Sequence, residues 1–181
     1  MEVKVFGVVG AGQMGNGIAH VAAASGLNVI MNDVKQEFVD RGMQTIDKNL
    51  GRMVSKGKMS EDEKSQILSR IKPSVSLDDF SGADFVVEAI IESLDLKRKV
   101  FTALDEITPS HAILASNTSS ISITKIASVT KRPDKFIGMH FMNPVPVMKL
   151  VEVINGLATS KQTTELTVEL SKKFGKIPVE A

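Results

Sequence analysis

A β-rich run, Val3 to Val9, passes directly into Gly10-Ala11-Gly12-Gln13-Met14-Gly15, and no other stretch restricts the fold so tightly. A helical pattern follows, then an apolar strand, Leu27 to Asn32, that ends on the acidic Asp33, 18 residues after Gly15. Each glycine at that spacing meets a different demand. Gly10 permits a tight strand-to-helix turn, Gly12 lets backbone approach a diphosphate, and Gly15 lets the helix pack closely on the strand. Free N–H groups at the helix start then point at phosphate oxygens, with Gln13 and Met14 part of the same loop. A lone glycine fingerprint is weak evidence. Strand, helix, strand and acid in this order make it a dinucleotide-binding βαβ unit.

The acid also selects the cofactor. A carboxylate at Asp33 holds both ribose hydroxyls of an adenosine, whereas a 2′-phosphate there meets like charge. Two unit charges about 4 Å apart repel by roughly 4 kcal/mol at an effective dielectric near 20. A third of that, after water screening, still costs about tenfold in affinity. NAD is therefore expected over NADP, with Lys35 the neighbour that softens the preference. Asp33 also suits an N-cap of the next helix.

Strand and helix patterns alternate along the chain, which argues for an α/β fold of the Rossmann type: a doubly wound, mostly parallel sheet covered by helices. Two helices in a row interrupt the rhythm. One runs from about Gln36, breaks at Lys56-Gly57-Lys58, and a second opens at a Ser60/Glu63 capping box and runs through Ile71. They predict a helical hairpin over about 36–71 protruding from a single domain spanning 1–181. Strands resume at Asp84–Glu88, Ala112–Ala115, Phe136–His140 and Lys149–Ile154. A helix follows from Lys161 to Phe174, then a short edge strand, Lys176–Val179.

With 181 residues, 43% of them hydrophobic, the chain buries one core. Its 22 basic and 21 acidic residues leave no nucleic-acid footprint, and no apolar run reaches the eighteen or so residues of a membrane span. Zero cysteines exclude disulfides, thiolate catalysis and thiolate metal ligands, and no metal site is expected. The first strand begins within a few residues of Met1, so no signal peptide is expected and the cytoplasm is the default location.

Oxidising a secondary alcohol with a nicotinamide removes a hydride and a proton together, and histidine is the natural base. Of three histidines, His20 lies in the first helix, His111 in a connection and His140 at a strand end. Glu152, twelve residues on, is able to return to His140 and fix its tautomer. A strand-end histidine is otherwise a satisfied structural residue, and Ser116-Asn117-Thr118-Ser119-Ser120 otherwise a turn and helix cap.

Four ordered motifs together resemble the 3-hydroxyacyl-CoA dehydrogenase family. They are Gly10–Gly15, Ser116–Ser120, His140-Phe141-Met142-Asn143-Pro144 and Met148–Ile154. Within it the chain is most similar to the bacterial branch acting on 3-hydroxybutyryl-CoA. The resemblance implies His140 as general base, Glu152 as its orienting partner, and Ser119 touching both substrate oxygen and cofactor. It also implies Glu92, Lys97, Asn117 and Asn143 around the nicotinamide. Lys48, Arg52 and Lys56 form one basic stripe at helical spacing, on residues alone as readily a solvated face. In the family this hairpin clasps the CoA nucleotide, which implies Asn49 and Lys56 near its phosphates; with Arg52 of the stripe they are the expected contacts of an acetoacetyl-CoA or 3-hydroxybutyryl-CoA substrate.

The family continues with an all-helical domain that supplies most of the homodimer interface and an asparagine of the catalytic set. No residue of this chain matches that asparagine. Either the chain is an isolated N-terminal domain or a partner chain supplies the rest; the expectation favours the isolated domain, monomeric and weak or absent in turnover. Two other readings stay open on the residues: a non-catalytic dinucleotide-binding module, and a dehydrogenase of a 3-hydroxy acid without CoA.

Overall fold

The computed structural model covers residues 1–181. Eight strands form one sheet in the order β3-β2-β1-β4-β5-β6-β7-β8. Strands β1 (Val5–Val9), β2 (Asn28–Asn32), β3 (Ile71–Ser74), β4 (Phe85–Glu88), β5 (Ile113–Ser116) and β6 (Phe136–Phe141) run parallel. Strand β7 (Leu150–Asn155) turns back antiparallel to β6, and β8 (Ile177–Glu180) runs parallel to β7. The strand order reverses between β1 and β4, which opens a crevice at their carboxyl ends.

Successive side chains of a strand face opposite ways, and the core divides accordingly. Phe6, Val8, Phe85 and Val87 point to one face, where they pack with α1 (Gln13–Ala24), α2 (Gln36–Ser55) and α6 (Lys161–Lys173). Val9 and Val86 point to the other, against Phe101 and Leu104 of α4 (Leu94–Ile107) and Ile126 of α5 (Ile123–Ala127). Helices on both faces make the fold doubly wound.

The hairpin comprises α2 and α3 (Glu61–Ser69), with Ser60 Oγ accepting from Glu63 N at 3.1 Å to cap α3. Its root belongs to the core: Val39, Ile46 and Leu50 are fully buried beside Ile18 of α1. The tip, Lys56-Gly57-Lys58, is exposed at all three residues. The second helix ends at Ser69 rather than continuing through Ile71, because β2 offers an open edge that Ile71–Ser74 fills as β3. Pro73, lacking an N–H, is tolerated because β3 is an edge strand.

Candidate active site

The β1–α1 turn depends on its first and last glycines. Gly10 adopts φ +106°, a left-handed conformation that disfavours a side chain, and a Cβ on Gly15 would sit 1.8 Å from Gly10 O. Helix α1 follows its N-cap Gly12 with no side-chain cap and no acid in its first turn, so no side chain of the helix itself occupies its N-terminal N–H groups. A Cβ on Gly12 would meet no protein atom within 4 Å. Asp33 braces this turn: Oδ2 accepts from Ala11 N at 2.8 Å and Oδ1 from Val34 N at 2.7 Å. It does not cap α2, whose N-cap is Lys35 without a side-chain hydrogen bond.

Two cavities flank Asp33. One, of about 480 Å³, is lined by Gly12, Gln13, Asn16 and Arg41; the other, about 530 Å³ and largely apolar, by Val34, Ile90, Ile91 and Leu96. A diphosphate suits the first, at the uncapped helix start, and a flat base suits the second. The residues present therefore fit an adenine dinucleotide. Arg41 is a contribution that spacing does not reveal; its guanidinium lies 5.7 Å from the centre of the Phe38 ring.

Beyond the turn, β4 ends in a buried charge network. Glu88 is fully buried and accepts from Lys97 Nζ at 2.6 Å, Ile90 N at 2.8 Å and Ser116 Oγ at 2.6 Å. Lys97, also buried, reaches Glu92 at 3.2 Å. Burial alone raises the Glu92 pKa, but donation from Ser119 N and the Thr118 hydroxyl, with the Lys97 charge, carries it below the ordinary value. Glu88 was not among the residues the sequence singled out. Its one sequence signal is a carboxylate closing an otherwise apolar strand.

A cavity of about 310 Å³ brings together Met14, Glu92, Lys97, Asn117, Ser119, His140 and Asn143. Ser119 Oγ donates to Glu92 at 3.3 Å, and Asn117 Oδ1 accepts from Phe141 N at 2.8 Å, which ties the end of β6 to the loop after β5. Asn143 Oδ1 accepts from Gln13 Nε2 at 3.1 Å, linking this cavity to the glycine turn. Glu152 does not line the cavity; it stands behind His140, Oε1 to Nδ1 3.6 Å. His111 lies elsewhere, Nε2 to Asp84 Oδ1 2.8 Å, beside the start of β1.

A further cleft, about 420 Å³, lies between the hairpin and the loop after β6. Asn49, Arg52, Lys56 and Lys58 line one side and Pro144, Pro146 and Val147 the other, with His20 between them. Lys48, the third member of the expected stripe, is exposed and does not line it. No group of three or more His, Cys, Asp or Glu is arranged to hold a metal ion, and no helix is long and apolar enough to cross a membrane.

The family profile described as "3-hydroxyacyl-CoA dehydrogenase, NAD binding domain" matches residues 5–181. The chain belongs to the 3-hydroxyacyl-CoA dehydrogenase family. It is a member of the NAD-binding domain of that family, and NAD is its cofactor. Among its relatives are the probable 3-hydroxybutyryl-CoA dehydrogenases of Deinococcus radiodurans, 52% identical over 96% of the chain, and Bacillus subtilis, 52% identical over 99%. The chain spans 62% and 63% of the lengths of those two relatives. The crystal structure of (S)-3-hydroxybutyryl-CoA dehydrogenase from Ralstonia eutropha superposes with a TM-score of 0.97 at 50% identity, covering 99% of this chain and 63% of that one.

Proposed function

We propose that the chain is the NAD-binding, base-carrying part of a 3-hydroxyacyl-CoA dehydrogenase that interconverts the C3 hydroxyl and ketone of a short acyl-CoA, 3-hydroxybutyryl-CoA and acetoacetyl-CoA. One observation carries this reading: His140, backed by Glu152, opens into the cavity that Glu92, Lys97 and Ser119 line beside the glycine turn. The named relatives at about half identity support the substrate.

Bound NAD supplies the hydride acceptor. His140 takes the hydroxyl proton as C3 is oxidised, through the nitrogen that does not face Glu152. The Glu152 carboxylate favours the imidazolium that results and holds the ring's orientation. Ser119 Oγ hydrogen-bonds the reacting oxygen, and in the reverse direction the imidazolium returns the proton to it. Glu92, anionic and pinned by Lys97, Thr118 and Ser119, lines the nicotinamide end with Asn117 and Asn143. Asn49, Arg52 and Lys56, joined by Lys58, hold the CoA phosphates at the hairpin, an attraction that weakens with salt. The longer protein acts as a homodimer in the cytoplasm.

Replacing His140 with Gln in a protein that includes the remaining length of the relatives tests the base. Turnover should fall about a hundredfold or more with NAD affinity unchanged. On this chain, calorimetric titration with NAD and with acetoacetyl-CoA separates the alternatives. Binding of both supports the proposal, NAD alone points to a dehydrogenase without CoA or a non-catalytic module, and Lys56→Glu should weaken only the CoA ester.

A further inference from the structure

His20 is an unexplained polar group. It lies on the buried side of α1, 4% exposed, where no hydrogen bond within the chain reaches its ring and Nδ1 is sealed from solvent without a partner. Buried side-chain nitrogens and oxygens are almost always paired, and leaving one unpaired is destabilising. A leucine would fill a similar volume with no such penalty. The ring also lines the hairpin cleft, beneath a rim of exposed cations at Arg52, Lys56 and Lys58 and against the wall formed by Pro144, Pro146 and Val147.

The charge at this floor differs from that of the rim. Burial, helped by the Lys176 ammonium, pushes the His20 pKa down to about 4, so the ring is neutral near pH 7. With Nδ1 sealed, a ligand meets the neutral ring at Nε2, which donates to an amide carbonyl in one tautomer and accepts from an amide N–H in the other. Lys176 does not compete as a ligand group. Its ammonium donates to Val145 O and Met148 O, and so fixes the turn that forms the cleft's opposite wall.

A ligand matched to this cleft has a phosphate at one end and an uncharged, amide-bearing chain at the other. We propose that His20, through Nε2, the ring nitrogen that is not sealed, hydrogen-bonds an amide of the pantetheine arm of a CoA ester whose phosphates rest on the hairpin cations. This inference rests on the CoA assignment above and adds a contact for the part of the ligand that the cations do not recognise. A free nucleotide engages the rim and leaves the floor empty.

Two CoA-derived probes decide it: CoA itself, and adenosine 3′,5′-bisphosphate, which carries phosphates but no pantetheine. Titrated into this chain, His20→Leu should weaken CoA about 5- to 10-fold and leave the bisphosphate and NAD unchanged, the loss of one neutral hydrogen bond. His20→Gln, which keeps a donor and an acceptor, should retain most of the affinity. If Lys56→Glu weakens CoA while His20→Leu does not, the CoA assignment stands and the His20 contact is wrong. If neither probe binds the unsubstituted chain while NAD does, both fall together. Nitrogen NMR of the unsubstituted chain gives an answer even where a variant fails to fold, since only three histidines contribute. Saturating CoA should shift the His20 ring resonances and the bisphosphate should not. Ring signals unmoved by CoA overturn the proposal.

Discussion

His140 and Glu152 stand opposite each other in the antiparallel β6–β7 register, their side chains 3.6 Å apart from Nδ1 to Oε1. At that separation the carboxylate acts through its charge more than through a tight hydrogen bond. A pair of unit charges about 4 Å apart is worth roughly 4 kcal/mol at an effective dielectric near 20, and Glu152, with 38% of its side chain exposed, keeps only a fraction of it. Glu152→Gln in the longer enzyme should therefore lower kcat about tenfold to a hundredfold, with NAD affinity unchanged. Steady-state rates at saturating substrate check it. An unaltered kcat would remove Glu152 from the mechanism.

The Glu88–Lys97 pair is a demand on stability before it is a feature of the site. Both side chains are buried, and Glu88 fills its acceptor sites with Lys97, Ile90 N and Ser116. Removing one partner of a buried ion pair typically costs about 3–5 kcal/mol because the other charge is stranded. Lys97→Met should show that loss in urea unfolding, and adding Glu88→Gln should recover part of it. A loss below about 1 kcal/mol would mean that the Glu88–Lys97 contact does not stabilise the fold.

The glycine turn, Asp33 and the strands ending near Glu88, Ser116 and His140 are legible in the sequence because each rests on local pattern. Elements that depend on partners are not. Ile71–Ser74 becomes β3 only because β2 has an unfilled edge, and it carries no alternation of its own. Helix α5, five residues capped by Ser122 Oγ, is too short for a helical period to register. The same holds within the site. Glu88 and Lys97 lie nine residues apart on a strand and a helix, and nothing in that spacing announces a shared buried proton donor and acceptor. Arg41 lines its cavity from α2 and Lys58 lines the cleft from the turn after it, and neither placement follows from local spacing.

Gly12 and Gly15 should separate binding from folding. A Cβ on Gly12 meets nothing within 4 Å, so Gly12→Ala should keep thermal stability within about 0.5 kcal/mol while intruding where the diphosphate approaches. Its NAD affinity should fall tenfold or more, about 1.4 kcal/mol. Gly15→Ala drives a methyl to 1.8 Å from a backbone oxygen, so the fold itself must give. A loss of about 3 kcal/mol corresponds to roughly 6–12 °C in Tm for a chain of this size. Calorimetry with and without NAD measures both.

Acid stability should depend on Asp84. Burial raises its pKa, but N–H donation from Val5 and Lys4 and the contact with His111 outweigh that and hold it below the ordinary value of 3.8. A carboxyl group depressed by folding adds stability above its unfolded pKa and loses it as pH falls through the folded one. Asp84→Asn should therefore be less stable near pH 6 and should flatten the decline below about pH 4. Unfolding midpoints measured from pH 6 to pH 3 check this, in about half-unit steps. Curves of equal slope for the two proteins would place the acid sensitivity elsewhere.

Cofactor choice should turn on the charge of Asp33 and not on its shape. Both carboxylate oxygens already accept from backbone, Ala11 N and Val34 N, so deleting the side chain would loosen the glycine turn and confuse the two roles. Asp33→Asn keeps an acceptor for Ala11 N and removes the charge that repels a 2′-phosphate. With Arg41 lining the same cavity and Lys35 two residues along, the uncharged site has cations on hand for that phosphate. The NAD-to-NADP preference should narrow by about tenfold, mostly through tighter NADP binding, the screened value of one like-charge contact. Parallel titrations of the two cofactors measure the ratio. A preference that survives Asp33→Asn intact would mean that steric exclusion, not charge, rejects the 2′-phosphate.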